Sequence, residues 1–179
     1  MNSKKLSIGD LAPPFELKGI DSKLYNLSSF MHSELLLVIF SCNHCPYVQA
    51  YEKRIIDLQN DFRDKLAVVA INSNDASRYP EDSFDEMVKR AALVGFNFPY
   101  LYDETQQTAA AYGASHTPEL FLFDMARKLV YTGKIDDNWQ EPSKVSSTYL
   151  RNAVAELLAG NPVSVPETYA IGCTIKWKY

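Results

Sequence analysis

The stretch Leu35-Leu36-Leu37-Val38-Ile39-Phe40-Ser41-Cys42-Asn43-His44-Cys45-Pro46 joins six consecutive apolar residues to two closely spaced cysteines. An uninterrupted apolar run of this length predicts a β-strand that is covered on both faces. Pro46 suits the first turn of a helix, because the N–H that proline lacks would have no helical partner there. Apolar residues then recur every three or four positions over residues 47–62, which predicts an amphipathic helix. The two thiols are therefore expected between a buried strand and a helix.

The rest of the chain repeats this alternation of strand and helix patterns. Short apolar segments predict a hairpin near the N-terminus, from residues 15–17 and 24–27. Further strands are predicted at 66–71, 98–102, 119–123 and 129–132, and further helices from 82 or 83 to 95, from 103 or 105 to 112 and at 145–158. This order indicates an α/β fold whose central sheet is mostly parallel and antiparallel at one edge.

Length and composition favour an ordinary globular protein. With 179 residues, 46% of them hydrophobic, we interpret residues 1–179 as one domain with a core of its own. The net charge of -4, without a basic stripe, opposes a nucleic-acid partner. The longest apolar run is far shorter than the roughly 20 residues that cross a bilayer, so we expect no membrane segment. Lys4 and Lys5 lack the apolar stretch of a secretory signal behind them, and we expect a cytoplasmic protein.

The two cysteines of the C-x-x-C motif favour redox chemistry. Thiols at this spacing can close a disulfide within the first helical turn, and the positive end of a helix dipole favours the thiolate of Cys42. His44 lies between the cysteines, and its protonated form would stabilise that thiolate further. Cys45 lies one turn deeper, so we expect it to be more covered and to act as the resolving thiol.

Metal binding is the main alternative use of these cysteines. Structural zinc requires four ligands, and an isolated C-x-x-C supplies two, with Cys173, His32 and His116 as the remaining cysteine and histidines. A Cu(I) site formed by Cys42, Cys45 and His116 is a second possibility, because thiolates suit that soft ion. Two inert core cysteines are the third interpretation. We expect neither a metal nor a cofactor.

Two further motifs carry a family resemblance. Ser115-His116-Thr117-Pro118-Glu119 follows the helix that ends at Gly113, and a Thr-Pro opening a strand after a C-x-x-C helix resembles the thioredoxin superfamily. The segment Gly9-Asp10-Leu11-Ala12-Pro13-Pro14-Phe15-Glu16-Leu17 is similar to the G-D-x-A-P-x-F-x-L opening of its redoxin branch, which joins the alkyl hydroperoxide reductase/thiol-specific antioxidant (AhpC/TSA) proteins to the TlpA-like thiol-disulfide proteins. The resemblance covers most of residues 8–135.

The resemblance implies a thioredoxin-like fold, with a mixed central sheet, flanking helices and an N-terminal hairpin extension. It also implies that Pro118 is cis, which only about 5–6% of X-Pro bonds are. The backbone at Thr117 would then face Cys42 and pair with an extended substrate, so that Thr117 and Pro118 join the cysteines as site residues. His116 is expected to be a loop residue and not a catalyst.

The same branch contains peroxiredoxins, whose peroxide-attacking cysteine lies in a P-x-x-x-[TS]-x-x-C motif. Counted back from Cys42, the two key positions hold Ile39 and Leu35, and counted back from Cys45 they hold Cys42 and Val38. Neither register supplies the proline and the hydroxyl. The residues therefore favour disulfide exchange over peroxide reduction, although the antioxidant function of the family stays an alternative.

The sequence thus predicts a thiol-disulfide oxidoreductase. Cys42 would attack a substrate disulfide, and Cys45 would displace the resulting mixed disulfide to leave a Cys42–Cys45 bond. The alternatives are a thiol peroxidase, in which Cys45 resolves a sulfenic acid on Cys42, and a Cu(I)-binding chaperone of thioredoxin fold. The expected partners are a disulfide-containing protein or small molecule and a cellular reductant of thioredoxin or glutathione type.

Cys173 allows two interpretations. It lies in Ile171-Gly172-Cys173-Thr174-Ile175-Lys176-Trp177, where the apolar residues indicate a C-terminal segment that docks on the core. Cys173 is then either a small buried apolar residue of that segment or a third redox thiol that the segment delivers toward Cys42.

Overall fold

Seven strands form the central sheet of the computed structural model, which describes residues 4–179. In chain order the elements are β1 (Glu16–Gly19), β2 (Leu24–Asn26), β3 (Leu35–Ser41), α1 (Pro46–Asp61), β4 (Leu66–Asn72), α2 (Phe84–Val94), β5 (Tyr100–Tyr102), α3 (Gln107–Tyr112), β6 (His116–Thr117), β7 (Glu119–Phe123), β8 (Leu129–Gly133), α4 (Tyr149–Leu158) and β9 (Cys173–Thr174). Single turns of 3-10 helix lie at Leu27–Phe30, Pro80–Asp82 and Pro142–Lys144.

The sheet is mixed, in the order β2-β1-β5-β4-β3-β7-β8. Parallel pairing is confined to the three central strands, in which β4 pairs with β3 on one side and with β5 on the other. β7 and β8 continue the sheet antiparallel on one side, and β1 pairs antiparallel with β5 on the other. The prediction of a mostly parallel sheet with one antiparallel edge is therefore wrong, because the predicted N-terminal hairpin adds its strands to the second edge. The thioredoxin-like α/β architecture with a hairpin extension is confirmed.

β3 is the buried centre of the molecule, as its apolar run predicted. Leu35, Leu37 and Ile39 pack against α1 and α4, while alternate side chains of the same strand point to the opposite face. That second face is packed by Leu36, Val38 and Phe40 together with residues of α3. Each of these six side chains is at most 4% exposed. Burying one aliphatic side chain contributes about 1.5–3 kcal/mol, so β3 fixes the position of the residues that follow it.

Helix boundaries agree with the sequence where a local capping signal exists. α1 begins at Pro46, and Ser83 caps α2, which ends at Gly95 in the left-handed conformation. α4 begins at Tyr149, four positions after the predicted start, because the chain is still extended at Val145. Within residues 4–179, no helix has both the length and the apolar character to cross a membrane.

A second, two-stranded sheet was not predicted. β9 lies in the C-terminal segment and pairs antiparallel with β6. Ile175, next to this strand, is 3% exposed and belongs to the core on the α3 side of the main sheet, against which Trp177 also packs. The expectation of a docked C-terminal segment is confirmed. Two-residue strands carry no periodicity, and their pairing could not be seen in the sequence.

Candidate active site

Both cysteines of the C-x-x-C motif lie at the carboxyl end of β3. Cys42 directly follows the strand, and Cys45 occupies the N-cap position of α1, with an extended backbone. Cys42 is 2% exposed and Cys45 is fully buried, and they form a small apolar cluster with Val48. A substrate sulfur can therefore reach either thiol only if a covering group moves.

The loop before β7 supplies the opposite wall of the site. The Thr117–Pro118 peptide bond is cis, as the family resemblance implied. The Thr117 hydroxyl lies 3.5 Å from the sulfur of Cys42, and the Thr117 carbonyl accepts a hydrogen bond of 3.3 Å from the thiol of Cys45. The structure thus brings together Cys42, Cys45, Thr117 and Pro118. The fifth predicted site residue, His44, has a ring nitrogen within 4.8 Å of the Cys42 sulfur.

Glu119 holds this loop in place. Its carboxylate is buried and accepts hydrogen bonds from the backbone N–H groups of Ser115 (2.7 Å) and His116 (3.0 Å). The Lys5 ammonium lies 3.0 Å from the same carboxylate and neutralises it. The loop that faces the cysteines is consequently fixed by charge-assisted hydrogen bonds on its far side.

The pKa shifts of the two thiols are the reverse of the sequence expectation, which placed the thiolate on Cys42. The pKa of Cys45 is lowered to about 4, because its sulfur accepts hydrogen bonds from the thiols of Cys42 and Cys173 and from the backbone N–H groups of Val48 and Cys173. The pKa of Cys42 is raised, because its thiol donates to Cys45, because it is buried and because the Asp82 carboxylate is near. The two shifts favour the thiolate on Cys45 over the thiolate on Cys42, and the hydrogen bond to the Thr117 carbonyl belongs to the protonated form of Cys45.

The lowered pKa of Cys45 makes the stability of the folded protein depend on pH. The pKa of Cys45 is near 9 when unperturbed and about 4 in the folded protein, so its contribution to stability is complete above about pH 9 and is lost as the pH falls through about 4. For the reduced protein, we expect the difference in free energy of unfolding between wild type and Cys45→Ser to grow from about pH 5 to about pH 8. Urea unfolding with a phosphine reductant measures it. A difference that does not change with pH would contradict the assigned thiolate.

His44 pairs with a buried carboxylate close to the first thiol of the motif. Its Nδ1 lies 2.7 Å from Asp82, and its ring stacks on Tyr79. The Asp82 carboxylate is fully buried and also accepts the backbone N–H of Asn43 (2.7 Å) and the side-chain amide of Asn74 (2.8 Å). A ring nitrogen of His44 also lies within 4.8 Å of the Cys42 sulfur, so its role in stabilising the Cys42 thiolate stays a prediction.

Asp82 and Asn74 are site residues that the sequence analysis missed. Position 82 was considered only as a possible helix start, whereas Ser83 caps the helix. A signal for Asn74 existed, since it follows β4, the parallel neighbour of β3, and the carboxyl ends of parallel strands meet at one edge of a sheet. For Asp82, which follows an irregular loop, no such local signal is present.

The groups with metal-binding potential differ from the predicted copper set. Cys42, His44 and Asp82 place three candidate ligand atoms within 4.8 Å of one another. The Asp82 oxygens in this group already accept two amide donors, which leaves the set poorly suited to an ion. A ring nitrogen of His116 is hydrogen-bonded to the Ser115 hydroxyl. Because successive side chains of a strand point to opposite faces, His116 points away from the face on which Thr117 meets Cys42. The predicted Cys42, Cys45 and His116 set is therefore not assembled.

Cys173 lies in contact with the motif. Its sulfur is 2.8 Å from the sulfur of Cys45, although 128 positions separate the two residues in the chain. The residue is partly exposed, so the interpretation as a purely buried apolar residue does not hold. The segment does fold back on the site, as the other interpretation required, but it reaches Cys45 and not Cys42.

Comparison with known proteins agrees with this fold. The family model described as "AhpC/TSA family" matches residues 8–132. The chain therefore belongs to the AhpC/TSA family, in the redoxin branch of the thioredoxin superfamily.

Three relatives illustrate the range of this similarity. The crystal structure of an uncharacterized conserved protein from Geobacillus kaustophilus is 42% identical, with a TM-score of 0.91 over 96% of this chain and 93% of that one. A Helicobacter pylori (strain J99) protein named "Putative peroxiredoxin bcp" is 30% identical over 62% of this chain and 68% of its own. The structure of a "putative Thiol:disulfide interchange protein DsbE" from Chlorobium tepidum is 26% identical, with a TM-score of 0.63 over 72% and 85% of the two chains.

Proposed function

We propose that this redoxin is a thiol-disulfide oxidoreductase whose exchanging dithiol is Cys42 and Cys45. The observation that carries the proposal is the position of both sulfurs against Thr117, next to the cis Pro118. A disulfide-exchange site needs two thiols that can bond to each other and a backbone edge beside them for the substrate chain. The thiols lie at the start of α1, and β6 supplies the backbone edge, which β9 occupies in this structure.

The first step of the proposed reaction uses the contact between the two thiols. Cys42 attacks one sulfur of a substrate disulfide, forming a mixed disulfide, while the second substrate sulfur leaves as a thiolate. The proton of Cys42 passes to the Cys45 thiolate, which lies in the same buried cluster. Cys45 therefore serves as the proton acceptor of this step.

The second step releases the reduced substrate. Cys45 gives up its proton to the departing sulfur and attacks Cys42, so that the Cys42–Cys45 bond forms and the bond to the substrate breaks. In the reverse direction, an incoming thiolate attacks Cys42 and expels Cys45. A thiol with a low pKa leaves faster, and the pKa of Cys45 is about 4. An incoming thiolate therefore attacks the Cys42 sulfur of the disulfide in preference to the Cys45 sulfur. The low pKa of Cys45 thus supports its role as the resolving thiol.

The surroundings of the thiols favour a peptide as substrate. Tyr47 packs against the cysteine cluster and contacts Trp139 in a tilted arrangement, with ring centroids 4.3 Å apart. Both rings are partly exposed, which provides an apolar surface next to the site. A protein or peptide disulfide fits this surface, and a reductant of thioredoxin or glutathione type would complete the cycle.

Peroxide reduction is the second candidate function. The Helicobacter pylori relative carries a peroxiredoxin name, and the Thr117 hydroxyl lies 3.5 Å from Cys42. This hydroxyl offers a hydrogen-bond donor of the kind that the absent [TS] position of the peroxiredoxin motif would supply. The raised pKa of the Cys42 thiol does not separate the two functions, because a peroxide and a disulfide are both attacked by a thiolate. The missing proline and hydroxyl of the peroxiredoxin motif are what disfavour peroxide reduction.

Stopped-flow oxidation of the fully reduced protein separates the two functions. The protein is mixed in parallel with hydrogen peroxide and with a peptide disulfide, and Cys42→Ser is the control for each. We expect fast oxidation by the disulfide that is lost in Cys42→Ser, and a rate with peroxide no higher than that of a free thiol. Fast oxidation by peroxide that depends on Cys42, with slow disulfide exchange, would make the protein a peroxidase instead.

A further inference from the structure

The C-terminal segment, residues 172–179, occupies the backbone edge beside the cysteines. Thr174 lies opposite His116 and Cys173 lies opposite Thr117 in an antiparallel register. The backbone N–H of Ile175 extends the pairing with a hydrogen bond of 2.9 Å to the Ser115 carbonyl. An extended substrate that pairs with Thr117 would need the same edge, so the segment and the substrate compete for it.

Gly172 shows that the segment is fitted closely to this edge. A Cβ atom at this position would lie 2.1 Å from the carbonyl oxygen of Thr117 and 2.7 Å from its carbonyl carbon. The obstacle is backbone, which cannot rotate away as a flexible side chain does. Only glycine therefore allows the chain to approach Thr117 this closely and to place the next residue, Cys173, over the site.

The segment is anchored to the same network that surrounds the thiols. The Asn74 side chain accepts the backbone N–H of Lys176 (2.9 Å) and donates its amide to Asp82 (2.8 Å). Gln106 donates to the carbonyl of Lys176 (2.9 Å) and accepts the backbone N–H of Lys178 (2.8 Å). These contacts hold the backbone on the C-terminal side of the buried Ile175, and the pairing of β9 with β6 holds it on the other side.

The result of this placement is a direct contact between two sulfur atoms. The sulfurs of Cys45 and Cys173 are 2.8 Å apart, within about 1 Å of the 2.05 Å length of a disulfide bond. Cys45 is thus in contact with one thiol from its own motif and with one from the C-terminal segment. It is the shared member of two possible disulfides.

We propose that Cys173 is a third redox thiol, which forms a disulfide with Cys45 and closes the C-terminal segment over the site. The inference rests on the proposed exchange function, because the Cys42–Cys45 disulfide is its starting point. Cys173 attacks the Cys45 sulfur of that disulfide, the Cys45–Cys173 bond forms and the Cys42–Cys45 bond breaks. The electron pair of the broken bond goes to Cys42, which takes up the proton that Cys173 releases. No external oxidant or reductant is consumed.

This isomer is a closed form of the oxidised protein. The bond to Cys45 retains Cys173 opposite Thr117, and the edge for an extended substrate is blocked. Cys42 is released as a thiol, and its attack on the Cys45 sulfur restores the Cys42–Cys45 disulfide and frees the segment. Whether a substrate can reach the dithiol therefore depends on whether Cys45 is bonded to Cys42 or to Cys173.

The variant Cys42→Ser isolates the proposed bond, because it leaves Cys45 and Cys173 as the only cysteines. The reduced variant is treated with one equivalent of oxidised glutathione, quenched with acid and alkylated, and its peptides are mapped without reduction. Cys45 first forms a glutathione adduct, which Cys173 then displaces. We expect the Cys45–Cys173 linked peptide as the main product, while Cys42→Ser/Cys173→Ser stops at the glutathione adduct.

Two additional substitutions in the Cys42→Ser background test the route. Gly172→Ala places a Cβ against Thr117 and is expected to lower the yield of the linked peptide several-fold. Thr174→Ala changes an exposed side chain of the same strand and is expected to leave the yield unchanged. Circular dichroism verifies that each variant is folded.

Persistence of the glutathione adduct in Cys42→Ser, with Cys173 fully alkylated, would overturn the inference. Turnover of a peptide disulfide by the wild-type protein is measured separately. If the wild type turns over the disulfide and the linked peptide is absent, the inference fails and the proposed function stands. If the linked peptide forms and the wild type shows no turnover, the pairing stands and the proposed function fails.

Discussion

Replacing Cys42 by serine is expected to reduce turnover of a peptide disulfide by about 10³-fold or more, because it removes the nucleophile that forms the mixed disulfide. Cys45→Ser is expected to be equally inactive over many turnovers but to differ in its products. Its Cys42 can attack the substrate once, and no Cys45 thiol remains to displace the adduct. The mixed disulfide on Cys42 should therefore accumulate to about one per protein molecule.

Both outcomes are measured with a fluorescent peptide disulfide and mass spectrometry of the unreduced protein. Thr174→Ala, which alters an exposed side chain next to Cys173, is the control for general perturbation of the site. Turnover by Cys42→Ser close to that of the wild type would show that another thiol attacks the substrate. Accumulation of the mixed disulfide on Cys173 in Cys45→Ser would identify that thiol.

Asp82→Ala is expected to lower the free energy of unfolding by about 1–3 kcal/mol, the usual cost of leaving a buried hydrogen-bond donor without its partner. The substitution leaves the backbone N–H of Asn43 and the side-chain amide of Asn74 without their acceptor in the interior. Because Asn74 also holds Lys176, the C-terminal segment loses one of its anchors. Urea unfolding of the reduced proteins measures the loss of stability.

Asp82→Asn separates the charge of this residue from its hydrogen bonds. The asparagine oxygen still accepts one donor, so we expect a smaller loss of stability than in Asp82→Ala. The Asp82 charge contributes to the raised pKa of both Cys42 and Cys173. Its removal should lower the pKa of both thiols, and the ultraviolet absorbance of thiolate should rise at a lower pH than in the wild type. An unchanged titration in Asp82→Asn would contradict the electrostatic role of Asp82.

The parts of the fold that were predictable are those with a local signal. The six apolar residues of β3 and the periodic residues of α1 predicted the elements on either side of the motif, and both are present. Pro46 and Ser83 marked helix starts for reasons of backbone hydrogen bonding. The cis Thr117–Pro118 bond was expected only from the family resemblance.

The contacts that set the chemistry are long-range and were not predictable in detail. Which thiol has the lower pKa depends on donors from α1 and from Cys173, which is 128 positions away from Cys45 in the chain. We expected the positive end of the helix dipole at Cys42, whereas the helix begins one residue after Cys45. The buried carboxylate of Asp82 reaches the site from a loop with no pattern of its own. Such contacts follow from the packing of the whole sheet and not from any one segment.

Equilibration with mixtures of reduced and oxidised glutathione tests the central claim, that Cys42 and Cys45 form one exchanging dithiol, most directly. The wild type and Cys173→Ser are equilibrated over a series of ratios, quenched with acid and mapped for each cysteine by differential alkylation. In Cys173→Ser, we predict that Cys42 and Cys45 lose their reactivity together, with one midpoint, and are recovered as a single linked peptide. Recovery of Cys42 as a glutathione adduct or a sulfinic acid, with Cys45 still freely alkylated, would contradict the claim.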